Sequence, residues 1–228
     1  MRLILRLSEA VEATLAGEVV SPSVIAVNFT AGAHPLALWS AAGACWNNFD
    51  GFRSEDLPLL DTAGHSTTAR LTFESTSAYA AFGAPQTLNS ATNRLYCGGL
   101  VGNDTVSEVR VSVTGIPYDR YDVFVFASAD TTDRSILSIT DGRTTFYYRS
   151  AGRSNVGAPR LLRTRSRDPR APTEGPAQYQ VFRGRGESFT VTTGGSRNCV
   201  LSNNVFGLQI VRAGVERNAC AAPDPAAK

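Results

Sequence analysis

The chain has 228 residues, 43% of them hydrophobic and 18% charged, with a formal net charge of +2. That length and composition support a packed core and exclude a disordered polyelectrolyte. The near-zero charge supplies no global field for nucleic acid or a membrane surface, so neither partner is favoured, and no stretch approaches the roughly 20 apolar residues of a membrane span.

Twenty glycines, eleven prolines and a single methionine turn the expectation toward strands and turns. At the N-terminus, Leu7, Val11 and Leu15 recur at i+4 spacing, with Ser8 as a cap and Gly17 as a stop. The spacing predicts a short helix over 8–16. Arg6, Glu9, Glu12 and Glu18 interrupt what a secretion signal would keep apolar, which leaves a cytoplasmic setting open beside a secreted one. Residues 1–21 are therefore assigned to a helical extension or linker that ends at the turn signal "SPS".

From residue 22 the pattern changes to period-2 alternation. "VIAVNF" is a short apolar run. "ARLTFES" sets Leu71 and Phe73 against Arg70, Thr72 and Glu74, and "EVRVSVTG" sets three valines against Arg110, Ser112 and Thr114. Such alternation marks sheets with one wet face. "YDVFVFAS" is apolar on both faces, as a central strand should be. "SILSIT" and "TTFYYR" flank Asp141-Gly142, the strongest hairpin signal in the chain. With "AQYQVFRG", "ESFTVTTG" and "VFGLQIVR", the count reaches about nine strands with no βαβ rhythm. The fold class expected is all-β, an antiparallel β-sandwich over 22–212. Residues 30–66 and the arginine-rich insert 150–176 read as long loops, and 213–228 as a tail.

Positive charge is carried by arginine, since Lys228 is the only lysine. Residues 143–170 hold eight arginines against one acid, Asp168, an asymmetry that suits either a solvated loop or an anionic partner. Cys45, Cys97, Cys199 and Cys220 make an even count compatible with disulfides, and no spacing among them fits a zinc site.

Six pieces in fixed order carry a resemblance: "VIAVNFTAG", "WNNFDGF", "LLDTAG", "NRLYCGGL", "VRVSVTGIPYDRYDVFVFAS" and "NNVFGLQIV". In this order the chain resembles the galactose-binding-like, carbohydrate-binding-module-like β-sandwich domains of large secreted bacterial proteins. The resemblance spans roughly residues 22–212. It implies a jelly-roll sandwich, a secreted or cell-surface setting beside other domains, and a carbohydrate-binding or adhesive role.

Sugar binding needs aromatic faces for the apolar side of a pyranose and amides or arginines for its hydroxyls. Trp39, Asn93, Arg94, Tyr96, Tyr148 and Arg149 are the expected ligand-binding residues, on a polysaccharide that the arginines would allow to be acidic. Loops 30–66, 79–99 and 128–134 form the expected binding edge. Trp46 and Asn47, which follow the first strand, are instead expected to clasp the sandwich edge. No cofactor is expected, with Asp130 and Asp133 the weak calcium candidates through their oxygen ligands. Two alternatives stand beside this reading: a polysaccharide-degrading enzyme using loop carboxylates such as Asp50, Asp56, Asp61 and Glu74, or a purely structural module.

Overall fold

The computed structural model describes residues 24–32, 45–80, 95–102, 108–129, 136–149, 162–175, 178–194 and 203–214. The helix expected over 8–16 lies outside them. Two sheets pack face to face. The first runs in the order β11 (Leu162–Arg163), β13 (Gln178–Arg185), β8 (Arg120–Ala129), β15 (Asn203–Arg212), β1 (Val24–Phe29), β2 (Asn47–Phe49). The start of β15 also pairs with β6 (Gly98–Gly102), which carries β5 (Ser77–Ala80) on its other side. The second sheet runs β12 (Thr173–Glu174), β10 (Thr145–Arg149), β9 (Leu137–Thr140), β14 (Phe189–Gly194), β7 (Arg110–Thr114), β4 (Ser66–Glu74), β3 (Arg53–Leu60).

The long strands pair antiparallel, as the alternation requires. Parallel pairing is confined, among the described residues, to the short edge strands β2, β11 and β12. Each of these follows a connection long enough to bring the chain back in the same direction.

Alternation decides what faces inward. On β4 the buried residues are Ala69, Leu71 and Phe73, and on β7 they are Val111 and Val113. These meet Ile25, Val27 and Phe29 of β1 and Val123 and Val125 of β8 across the inter-sheet core. Each fully buried aliphatic or aromatic side chain contributes about 1.5–3 kcal/mol. β8 is buried on both faces in its middle. Its inner valines join the main core, and Phe126 joins Leu95, Tyr96 and Phe206 in a second apolar cluster on the outer face of the first sheet.

Two stretches expected as loops contain strands. Residues 30–66 hold β2 and β3, and the arginine-rich insert holds β11 and β12. β3 is an edge strand with irregular register, a positive φ at Asp56 and Pro58 in its run, so it shows no clean alternation. β6 reads "GGLVG" and lacks β-branched bulk for a different reason. A Cβ on Gly98 would sit 2.1 Å from the Thr30 carbonyl oxygen, so β6 can butt against the end of β1 only with glycine there.

The two ends of the sandwich differ. At the lower end, strands are joined by short described turns at 61–65, 115–119, 141–144 and 186–188. The Asp141 carboxylate accepts from the backbone N–H of Arg143 and Thr144, which is why the Asp-Gly signal was a true hairpin. At the upper end, strand ends anchor the connections 103–107, 130–135, 150–161 and 195–202.

Candidate functional site

The "WNNF" turn is built as a structural join. Asn47 donates to the carbonyls of Ala26 and Leu60 at 2.9 and 2.8 Å and accepts from the Leu60 N–H at 2.9 Å, tying β2 to the first strand and to β3. Asn28 donates to Asn48, and Asn48 donates to the Trp46 carbonyl, both at 3.0 Å. Trp46 is half-buried and packs against the outer aromatic cluster. Beyond β2, the Asp50 carboxylate accepts from the Thr30 hydroxyl and from the Gly32 N–H at 2.9 Å.

The upper end carries an unusual concentration of buried polar groups: Asn28, Thr30, Ser75, Ser128, Thr164, Gln178, Gln180, Thr193, Asn203 and Asn204. Tyr148 donates its hydroxyl to the Asn203 side chain, whose amide nitrogen donates to the carbonyls of Ser138 and Gly194 across the sheets. Tyr96 donates to the Gln178 carbonyl at 2.5 Å, and the Gln178 side chain donates to the Arg149 carbonyl at 2.8 Å. Three of the residues expected to bind ligand thus take part in these two sets of bonds, Arg149 through its backbone carbonyl. Asn204 is fully buried, and neither of its amide atoms has a hydrogen-bond partner among the described residues.

Such bonds do not make these side chains a platform. Tyr96 and Tyr148 are both 0% exposed, so neither ring can be stacked upon, and the expectation for these two is corrected. On β10 the alternation turns Tyr148 inward and leaves its neighbour Tyr147 half-exposed. Burial pushes the Tyr96 hydroxyl well above the usual tyrosine value, and the nearby Tyr148 and Tyr179 add to the shift. Arg149 is half-buried and bonded to Glu174 at 2.7 Å. Trp39, Asn93, Arg94 and the calcium candidates Asp130 and Asp133 lie outside the described residues.

The loop carboxylates are occupied structurally. Asp56 forms a bidentate pair with Arg70 at 2.6 and 3.1 Å, Asp61 caps the turn through the N–H groups of Ala63 and His65, and Glu74 faces Arg53 at 3.9 Å. The Thr30 and Gly32 hydrogen bonds hold Asp50 below the usual carboxylate range, and the Arg70 hydrogen bond does the same for Asp56. A glycosidic general acid needs the opposite shift, so that it stays protonated near neutral pH.

What the structure offers as a platform lies on the outer face of the first sheet. Phe124 of β8 and Tyr179 of β13 are stacked, with ring centroids 6.2 Å apart and planes inclined by 27°. Both are half-buried and both rest on the buried cluster of Tyr96, Phe126 and Phe206. Along β13 the same face carries Val181, Arg183 and Arg185. Opposite these on β8 stand Phe124, Asp122 and Arg120, while Arg163 of β11 stands opposite Tyr179. Guanidinium and carboxylate groups therefore flank an aromatic surface on a rigid sheet.

No protein-family model matches the chain, and no curated protein matches it. Among solved structures the chain is similar to the CBM36-1 domain of a multidomain xylanase from the hindgut metagenome of Trinervitermes trinervoides. The identity is 16%, the TM-score is 0.30, and the match covers 52% of this chain and 79% of that one. Overlap at that level carries no argument about this chain.

Sequence reasoning passed over Phe124, Tyr179, Arg183, Arg185 and Arg120. The signal was present in "QYQVFRGR", where Tyr, Val, Arg and Arg occupy alternate positions, one open face of a strand. "YDVFVFAS" hid its half because a strand apolar on both faces gives no sign of which face is covered.

Proposed function

We propose that the protein is a non-catalytic carbohydrate-binding or adhesive module, secreted or held at the cell surface, whose glycan lies across Phe124 and Tyr179. The observation that carries this reading is that half-buried stacked pair, fixed on adjacent strands. A pyranose presents C–H groups on one face and hydroxyls around its rim. An aromatic surface covers the first, while Asp122, Arg163 and Arg183 can bond the second. Because β8 and β13 already hold the rings, little side-chain freedom is lost on binding. An acidic polysaccharide is the narrower form of the same reading. Trp39, Asn93 and Arg94 remain candidate contributors.

Affinity electrophoresis over a panel of neutral and acidic polysaccharides tests this. Retardation by at least one glycan, lost in Tyr179→Ala, is the expected result. Failure to bind any glycan, or reducing-sugar release from the retained one, would remove the proposal.

A further inference from the structure

β8 and β13 pair so that Arg120 stands directly opposite Arg185. Both are exposed, and direct cross-strand neighbours on one sheet face have Cβ atoms about 4.5–5.5 Å apart. Like charges in that position destabilise a sheet. Arg183, two residues from Arg185 on the same face, stands opposite Asp122. Asp119 and Glu187 sit in the adjoining turns, yet among the described residues none of Arg120, Arg183 and Arg185 is in an ion pair. The fold therefore sets two exposed guanidiniums face to face on the strands that carry the aromatic pair, about 13 Å along β8 from Phe124.

We infer that this corner reads the acid groups of an anionic glycan, with one carboxylate or sulfate bridging Arg120 and Arg185 while a sugar ring lies on Phe124 and Tyr179. The inference rests on the glycan-binding reading above and names its substrate class. Guanidinium forks match both oxyanions, so carboxylated and sulfated sugars share the chemistry. An anion between the two arginines would turn their mutual repulsion into attraction. A nucleic acid offers the same kind of oxyanion, and the oligonucleotide arm of the titration separates it from a glycan.

Calorimetric titration of the full chain tests this with polygalacturonate, dextran sulfate, neutral dextran and a single-stranded oligonucleotide. Polygalacturonate, dextran sulfate or both should bind, weakening as salt rises. The double variant Arg120→Gln/Arg185→Gln should lose about ten-fold in affinity, and Arg110→Gln/Arg143→Gln, an equal loss of two charges from exposed positions of the second sheet, less than about two-fold. Binding of polygalacturonate alone assigns a carboxylate, and of dextran sulfate alone a sulfate. If the double variant does not fold, Arg185→Lys keeps the charge and removes the fork. Weakened binding then supports the bridge, and unchanged binding overturns it. The inference is also overturned if the anionic glycans bind no better than dextran, if the double variant binds like the wild type, or if the oligonucleotide binds as tightly with the same arginine dependence. Should neutral glycans on the electrophoresis panel still bind in a Tyr179-dependent way, only the charge reading falls. If no glycan binds, both readings fall.

Discussion

Asn47 and Leu60 are joined by reciprocal hydrogen bonds, Asn47 Nδ2 to the Leu60 carbonyl at 2.8 Å and the Leu60 N–H to Asn47 Oδ1 at 2.9 Å. The amide imitates a backbone peptide and lets β2 stitch the first sheet to β3 of the second. Asn47→Ala removes both bonds and the one to Ala26, and should destabilise the fold by about 1–3 kcal/mol in urea denaturation. Asn47→Asp keeps the acceptor but loses the donor, so it should retain only the bond from the Leu60 N–H and fall between wild type and alanine.

Gly184 and Tyr121 form a second contact that tolerates no substitution. A Cβ at Gly184 would lie 1.9 Å from Tyr121 Cε2, and Tyr121 is buried with its hydroxyl donated to the Ser188 carbonyl at 2.8 Å. Gly184→Ala should cost about 1–3 kcal/mol through overpacking. In a Tyr121→Ala background the same change should cost little, a non-additivity that a double-mutant cycle reads directly.

Asp50 gives a pH signature. Its folded pKa lies below the ordinary 3.8 because the Thr30 hydroxyl and the Gly32 N–H both favour the carboxylate. A depressed acid stabilises the fold above its unfolded pKa and loses that contribution as pH falls through the folded value. Asp50→Asn should therefore be less stable than the wild type near neutral pH. The gap should close once the pH is well below the ordinary carboxylate value. Chemical denaturation at the two pH values checks the sign.

Tyr96 should behave oppositely. Its hydroxyl is pushed well above 10.0 by burial, so its neutral form stabilises the fold below the ordinary tyrosine value, and that stability is lost as pH rises beyond it. In an alkaline absorbance titration Tyr96 should ionise only with unfolding. Tyr96→Phe removes the bond to the Gln178 carbonyl and should cost about 1–2 kcal/mol.

Much of the sandwich was legible because its long strands alternate cleanly. β4, β7 and β14 bury every second residue, and the Asp141-Gly142 turn has the chemistry a hairpin demands. β6 was not legible. Its glycines answer to the Thr30 carbonyl and the Phe206 ring, contacts remote in sequence. The candidate site was harder still. Tyr96 and Tyr148 have the residue type of a sugar platform, but only the stacking of the sheets decides which tyrosines are sealed. Phe124 and Tyr179 stay partly open on the outer face, which no local pattern encodes.

The most direct measurement is a calorimetric titration of the glycan retained in electrophoresis against the wild type, Tyr179→Ala and Tyr148→Phe. The two tyrosines differ in the respect that matters: Tyr179 is only half-buried beside Phe124, and Tyr148 is fully buried against Asn203. Loss of a stacking ring should lower affinity about ten-fold or more in Tyr179→Ala. Affinity within about two-fold of wild type is expected in Tyr148→Phe at a temperature where it is folded. Undiminished binding by a folded Tyr179→Ala would contradict the outer-face platform.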